Sequence, residues 1–145
     1  MTVVVEVAQE ATDELVEAFA RLLPQLSHRA RPLDQAALAR LVAHDANTIF
    51  LARGDEGTIL GTLTLVMVPL PAGLRARIED VVVDERARGL GVGGALIEAA
   101  VAAARAARAR TLDLTSRPER GSAGRLYERH GFQLRDSRQY RLADE

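Results

Sequence analysis

The residues with the clearest chemical potential in this chain form a turn rich in glycine. Four glycines stand among the six residues 89–94, and Arg86 and Arg88 come just before them. Glycine lets the backbone turn sharply, and the first amide N–H groups of a helix have no partner within that helix. The helix dipole adds partial positive charge at the same end, so such helix starts bind phosphate. The turn therefore predicts a site for an anionic cofactor.

Glycine spacing alone leaves other interpretations open. Gly89, Gly91 and Gly94 fit the dinucleotide fingerprint Gly-x-Gly-x-x-Gly. Asp113 stands roughly 20 residues on, where dinucleotide folds carry a ribose-binding acid. In those folds the first glycine follows its strand almost directly, whereas residues 84–88 intervene here. No Gly-Lys-Ser/Thr sequence follows, which excludes a Walker loop, and the remaining alternative is a turn that serves packing alone.

The elements around the turn must position its glycines. A strand, a helix and a second strand are predicted at 75–83, 92–109 and 111–115, with the turn between the first two. A strand that leads through a helix to a parallel neighbour forms a right-handed crossover. The sequence therefore predicts that the turn lies at one end of a parallel pair of strands.

The rest of the pattern predicts a mixed sheet with flanking helices. Further strands are predicted at 3–8, at 48–53, at 59–68 and, as one or two short strands, within 133–142; further helices are predicted from residue 13 to a stop at Pro24, at 33–44 and at 122–130. The strands 48–53 and 59–68 flank Gly54-Asp55-Glu56-Gly57 and predict a hairpin. A hairpin is antiparallel and the crossover is parallel, so we expect an α/β fold with a mixed sheet, in one domain over residues 1–145.

Composition excludes several classes of function. The aromatic share is 3% and the formal net charge is −1, so the chain lacks the stacking residues and the basic patch of a nucleic-acid-binding protein. It has no cysteine, which excludes disulfides, thiolate metal sites and cysteine nucleophiles. Its three histidines show no ligand spacing, so no metal is expected. Without a signal-peptide pattern or an apolar run of about 20 residues, we predict a cytoplasmic protein that does not bind membranes.

The motif around the turn resembles a known signature. Residues 88–93, Arg-Gly-Leu-Gly-Val-Gly, are similar to the Arg/Gln-x-x-Gly-x-Gly/Ala acyl-CoA signature of the GNAT N-acetyltransferase superfamily. The preceding Val81-Val82-Val83-Asp84 matches as well, and residues 126–132, Leu-Tyr-Glu-Arg-His-Gly-Phe, resemble the family's Leu-Tyr-Glu-x-x-Gly-Phe. Order and separation agree over residues 78–132. The resemblance implies a mostly antiparallel sheet flanked by helices, and transfer of an acetyl group from acetyl-CoA to an amine.

The resemblance also assigns the cofactor-binding residues. In the family, the backbone of the turn and of the first helical residues holds the CoA pyrophosphate; here these positions are Arg88, Gly89, Leu90, Gly91, Val92, Gly93 and Gly94. The pantetheine arm pairs with exposed backbone of the preceding strand, here Val81, Val82 and Val83. An amide in that stretch would also polarise the thioester carbonyl.

A carboxylate in the same strand is the candidate general base. Glu79 lies a few residues before the acyl site, and an alkylammonium acceptor of pKa ~10 must lose a proton before it can attack. Alternation along a regular strand puts Arg77 and Glu79 on one face and Asp80 on the other, unless a bulge intervenes. The alternative for Glu79 is a structural salt bridge to Arg77 or Arg75.

The second catalytic candidate is Tyr127, which resembles the tyrosine that many family members use as general acid toward the departing CoA thiolate. A phenol of pKa ~10 and a thiol of pKa ~8.5 are close enough for that transfer. The alternative is a core tyrosine whose hydroxyl simply finds a partner.

The expected acceptor is a primary amine of a small molecule or a peptide, and a homodimer is possible. The competing function is a non-catalytic, CoA-binding regulatory module of the same fold.

Overall fold

The computed structural model describes residues 1–116 and 121–144 of the chain. They belong to two compact units, Met1–Thr115 and Ser116–Glu145. The first unit contains strands β1 (Val4–Val7), β2 (Asn47–Arg53), β3 (Ile59–Leu70), β4 (Gly73–Val83) and β5 (Leu112–Asp113), helices α1 (Asp13–Leu26), α2 (Gln35–Ala43) and α3 (Val92–Ala106), and a 3₁₀ turn at Glu85–Ala87. The second unit contains helix α4 (Gly121–Arg129).

The five strands form one sheet in the order β1-β2-β3-β4-β5. The first three pairings are antiparallel, and β4 pairs with β5 in parallel. Helix α3 connects that parallel pair, as the crossover prediction requires, and the β2–β3 hairpin lies where it was expected. The prediction of a mixed, mostly antiparallel sheet flanked by helices is confirmed.

Helices α1 and α2 bury one side of the core. Leu15, Phe19 and Leu22 of α1 pack with Leu38 of α2 against strand residues that include Val82. Helix α3 packs across β1 to β4 with the buried side chains of its own apolar stripe. The start of α3, which carries the glycine turn, is therefore anchored on the sheet by apolar burial.

Three of the helix boundaries that differ from the sequence prediction have local reasons. Helix α1 runs through Pro24 to Leu26, because a proline in the last turn removes only one intrahelical donor. Helix α2 begins after Asp34, whose carboxylate accepts the N–H of Ala37 at 2.7 Å and caps the helix. Helix α3 ends at Ala106 instead of 109, since Arg108 adopts a left-handed conformation with φ of 60°.

The predicted strands within 133–142 are wrong, and β5 is shorter than predicted. The described residues from 132 to 144 contain no helix or strand. Leu134, Tyr140 and Leu142 are each at least 90% exposed, so no burial compensates the entropy of ordering an extended segment there.

No helix among the described residues is long and apolar enough to cross a membrane.

Candidate active site

The glycine turn lies at the start of α3 with its amide groups open. Gly89 and Gly91 have φ of 80° and 86°, and Gly91 is the N-cap of the helix without any side chain that caps it. Residues 88–91 are exposed. Within the described residues, none of the backbone hydrogen bonds of turns, loops and caps is donated by an N–H group of 89–94. These donors, together with the helix dipole, can bind an anion of phosphate size.

Gly89 and Gly91 are needed for backbone conformation and not for packing. A Cβ atom built on either glycine meets no heavy atom within 4 Å, whereas their positive φ angles strain any L side chain. The interpretation of the turn as a packing device therefore fails for these two positions. The open space beside them leaves room for a ligand.

A third glycine, which the sequence pattern did not single out, is needed for packing. A Cβ on Gly61 would lie 2.9 Å from Cγ1 of Val92, 3.0 Å from the carbonyl oxygen of Val82 and 3.2 Å from Cδ1 of Leu96. Gly61 in β3 thus lets the first turn of α3 lie directly on the sheet. Its role depends on a contact with a helix that begins 31 positions later, so no local signal reveals it.

Strand β4 contains a bulge next to the candidate base. Val82 pairs with Thr62 and Glu79 pairs with Thr64, so Asp80 and Val81 both stand opposite Leu63. Asp80 has φ of 50°, a conformation that costs free energy in a residue other than glycine. The alternation predicted for this strand therefore holds only as far as Glu79, and beyond the bulge Glu79 shares a face with Val82.

The backbone of β4 is open on one side beyond the bulge. Strand β5 pairs only with Ala76 and Arg77. In the part of the chain that the structure describes, Val81, Val82 and Val83 have β3 as their one strand neighbour. Their outward N–H and C=O groups pair with no strand of the described residues and can pair with an extended ligand.

Glu79 forms the ion pair that the sequence left as the alternative to a base. Its Oε2 accepts from Nε of Arg77 at 3.1 Å, and Nη2 of Arg77 also donates to Oγ1 of Thr115 at 3.1 Å. Both partners are partly exposed, so the pair adds little to stability. Surrounding protein atoms desolvate the neighbouring Asp80 carboxylate and, with the negative charge of Glu79, raise its pKa above the ordinary value.

A buried carboxylate begins the turn that leads to the glycines. Asp84 is fully buried, and its Oδ2 lies 2.7 Å from Nη1 of Arg21 and 3.2 Å from Nη2 of Arg86. Its Oδ1 accepts the backbone N–H of Arg86 at 3.1 Å and so caps the 3₁₀ turn. These hydrogen bonds, with the Arg86 side chain contributing most, outweigh burial and lower the pKa of Asp84 to about 2. Arg86, which the sequence placed beside the phosphate site, is therefore engaged with Asp84.

Helix α1 holds the same turn at a second point. Oε1 of Gln25 accepts the backbone N–H of Glu85 at 2.8 Å, and Nε2 of Gln25 donates to the carbonyl of Arg21 at 3.3 Å. Sequence reasoning missed this arrangement because Arg21 and Asp84 are 63 positions apart. The one feature of the sequence that pointed to this arrangement was the charged residue Asp84 directly after an apolar strand.

Tyr127 belongs to α4 of the second unit. It is half-buried, and its ring meets that of Phe132 edge to face, with centroids 6.1 Å apart. The helix ends as predicted, with Gly131 at φ of 91° and the N–H of Phe132 donating to the carbonyl of Tyr127 at 3.1 Å.

Among the described residues, no group of three acidic or histidine side chains is arranged to hold a metal ion.

A comparison with protein families decides which of these interpretations applies. Residues 8–132 match the acetyltransferase (GNAT) family. The chain belongs to the GNAT family. Membership indicates an enzyme fold for acyl transfer and removes the dinucleotide interpretation of the glycine spacing. No curated protein matches the chain.

Solved structures agree with the GNAT assignment over nearly the whole chain. A Trypanosoma brucei acetyltransferase is 28% identical with a TM-score of 0.81, and the match covers 98% of this chain and 99% of that one. A protein described as a transcriptional regulator from Bacillus halodurans is 26% identical with a TM-score of 0.83, covering 99% and 100%. Glucosamine-6-phosphate N-acetyltransferase from Arabidopsis thaliana is 21% identical, with a TM-score of 0.82 and coverage of 99% and 100%, a likeness of fold alone.

The predicted site residues of the GNAT motif divide between the two units. The turn residues, the strand Val81–Val83 and Glu79 lie in the first unit, and Tyr127 lies in the second. In the first unit the 3₁₀ turn directly connects the open strand edge to the glycine turn. A single extended molecule with amides at one end and phosphates at the other fits these two features in their order along the chain.

Proposed function

We propose that the chain transfers an acetyl group from acetyl-CoA directly to a primary amine of a small molecule or a peptide. The observation that carries the proposal is the glycine turn, where two left-handed glycines leave amides open at a helix start inside a GNAT family match. The match runs from residue 8 to residue 132, which supports one acetyltransferase domain over the chain. Acetyl-CoA enters as the cosubstrate, and no metal takes part in the proposed reaction.

The turn recognises the pyrophosphate of the donor. Backbone N–H groups of Gly89, Leu90, Gly91, Val92, Gly93 and Gly94 are the proposed donors, and the dipole of α3 adds to their field. The N–H of Arg88 donates to the carbonyl of Glu85 at 3.5 Å, so Arg88 contributes through its side chain. Backbone recognition needs no particular side chains, which explains why glycine is the dominant residue. The guanidinium of Arg88, which is exposed and free of any described ion pair, supplies the positive charge beside them.

The open edge of β4 binds the pantetheine arm. Backbone groups of Val81, Val82 and Val83 pair with the amides of the arm as a neighbouring strand would. An N–H group in the same stretch donates to the thioester oxygen and stabilises the negative charge that develops there. Backbone changes in this stretch should therefore impair the enzyme more than exchanges among apolar side chains.

Glu79 acts as the general base. Its carboxylate takes the proton of the acceptor ammonium, directly or through water, because deprotonating an amine of pKa ~10 at pH 7 otherwise costs about 4 kcal/mol. Arg77 holds this carboxylate at 3.1 Å, which fixes its position. The neighbouring carboxylate of Asp80, whose pKa is raised, is the other candidate for the base, and the experiment must distinguish it from Glu79.

Tyr127 acts as the general acid. The amine nitrogen forms the C–N bond, the C–S bond breaks, and the hydroxyl of Tyr127 gives its proton to the departing thiolate. The second proton that the nitrogen loses on becoming an amide restores the hydroxyl of Tyr127. The chain has no cysteine to hold the acetyl group, which supports direct transfer in a ternary complex. Parallel lines in double-reciprocal plots would contradict this order of events.

The test is release of free thiol from acetyl-CoA against a panel of amines, together with calorimetric binding of CoA and of NAD. We expect CoA binding and thiol release with at least one amine. Tight NAD binding without CoA binding would refute the proposal. CoA binding without transfer to any amine would favour a regulatory module, a candidate that the likeness to the Bacillus halodurans regulator supports.

The base is tested by a matched pair of variants. Glu79→Gln should lower kcat by about 100-fold with an alkylamine of pKa ~10, and much less with an amine of pKa ~7, of which about half is neutral at pH 7. Asp80→Asn removes the adjacent carboxylate, and its effect on kcat should be the same for amines of pKa ~10 and of pKa ~7. If Asp80→Asn produces the dependence and Glu79→Gln does not, Asp80 is the base.

A further inference from the structure

The buried carboxylate of Asp84 has no part in the acyl transfer described so far. It lies between the open edge of β4 and the glycine turn, one residue after β4 ends. A buried carboxylate is retained only where its partners satisfy it, and three donors from two elements converge here. These are the side chain of Arg21 on α1 and the backbone and side chain of Arg86.

We propose that Asp84 is the positioning residue of the pyrophosphate-binding turn, and that it sets the preference of the enzyme for phosphate-bearing donors. The inference rests on the proposed function of the turn as the site for the CoA pyrophosphate. Asp84 itself touches no part of the donor. It acts by fixing where the backbone leaves β4 and in which direction the turn begins.

The contacts around the turn support this role. Oδ1 of Asp84 accepts the N–H of Arg86 at 3.1 Å, and the carbonyl oxygen of Asp84 accepts the N–H of Ala87 at 2.8 Å. Ala87 is buried, whereas residues 88–91 are exposed, and within the described part of the chain no side-chain hydrogen bond or ion pair holds them. The direction of the exposed turn is therefore set at its two ends, by Asp84 to Ala87 on one side and by buried Val92 on the other.

Helix α1 makes this end rigid. Nη1 of Arg21 reaches Oδ2 of Asp84 at 2.7 Å, and Nη2 of the same guanidinium donates to the carbonyl of Ile59 at 3.0 Å. Gln25 adds the bond to the N–H of Glu85 at 2.8 Å. The side chain of Arg21 thus links α1, β3 and the turn. The amides of the turn are therefore oriented before an anion binds, and binding requires little free energy of reorganisation.

The experiment measures selectivity between two ligands and needs no knowledge of the acceptor. Dissociation constants are determined for CoA by calorimetry and for pantetheine, which lacks the phosphates, by NMR titration. In Asp84→Asn, we expect the ratio of the two constants to fall by about 10-fold, because CoA loses affinity and pantetheine keeps it. A general loss of folded protein would weaken both ligands equally and leave the ratio unchanged.

Two further variants separate this role from stability and from misfolding. Gln25→Ala removes the bonds of Gln25 to the N–H of Glu85 and to the carbonyl of Arg21 and should lower the ratio by about 3-fold, so it decides the question if Asp84→Asn does not fold. Glu14→Gln breaks an ion pair of α1 that does not involve the turn, to Arg53 at 2.8 Å, and should leave the ratio unchanged. If the wild type prefers CoA and the Asp84 and Gln25 variants show the same ratio of dissociation constants for CoA and pantetheine as the wild type, the role of Asp84 is overturned. A wild type that binds no CoA would instead refute the proposed function.

Discussion

The left-handed conformation of Gly91 allows a sharp test of the glycine turn. In Gly91→Ala the added methyl group meets no atom within 4 Å, so the change introduces no clash. It imposes only the strain of φ at 86°, about 1–2 kcal/mol for a residue with a Cβ. For a chain of 145 residues this corresponds to a fall in Tm of roughly 3–7 °C. The alanine can relieve the strain by rotating the peptide groups on both sides of the N-cap.

That rotation turns amide N–H groups away from the proposed pyrophosphate position. Losing one hydrogen bond to a charged group costs about 1.5–3 kcal/mol, so we expect the calorimetric Kd for CoA to rise roughly 10- to 150-fold. The matched control is Gly57→Ala in the β2–β3 turn, where φ is 82° and a Cβ again meets nothing within 4 Å. It should lose similar stability and keep its affinity for CoA. If both variants bind CoA equally well, the turn does not hold the donor by its backbone.

Three further predictions follow from individual contacts. Gly61→Ala should lower the free energy of unfolding by about 1–3 kcal/mol, seen as a lower urea midpoint, because its Cβ would lie 2.9 Å from Val92; an unchanged midpoint would contradict the close approach. The lowered pKa of Asp84, about 2, stabilises the fold fully above pH ~4, and this contribution is lost as the pH falls through 2. The gap in urea midpoint between wild type and Asp84→Asn should therefore narrow between pH 4 and pH 2, and a constant gap would refute the assignment. Tyr127→Phe should lower kcat by about 100-fold with little change in CoA affinity, whereas a wild-type kcat would limit Tyr127 to packing against Phe132.

The parts of the fold that sequence predicted well are those that local patterns specify. The apolar strand, the glycines and the alanine-rich helix of the crossover each depend on near neighbours in the chain, and β4 and α3 appear where these patterns put them. Gly131 at the end of α4 is a similar case, since a left-handed residue after a helix is a local requirement.

The parts that sequence reasoning missed depend on distant contacts or on backbone angles. No alternation of residue types marks Asp80 as a bulge residue, because the bulge is defined by pairing with β3. Arg21 and Asp84 form one ion pair across 63 positions, so neither residue reveals the other. The strands predicted within 133–142 failed for the related reason that apolar residues in a short segment do not determine whether an edge is available to pair with them.

The bulge in β4 also bears on self-association. An open strand edge is a template on which a second chain can pair, and such edges cause aggregation when they are long, flat and apolar. On the side of β4 that faces β5, the stretch that pairs with no described strand is short. It is interrupted at Asp80 and Val81, and Glu79 and Asp80 place two carboxylates at the interruption. A foreign strand would have to match this irregular register and approach two like charges, whereas a flexible ligand with a few amides needs only the residues beyond the bulge. The bulge beside the open backbone groups thus discourages edge-to-edge pairing between copies of the chain, while the residues beyond it remain usable by a ligand.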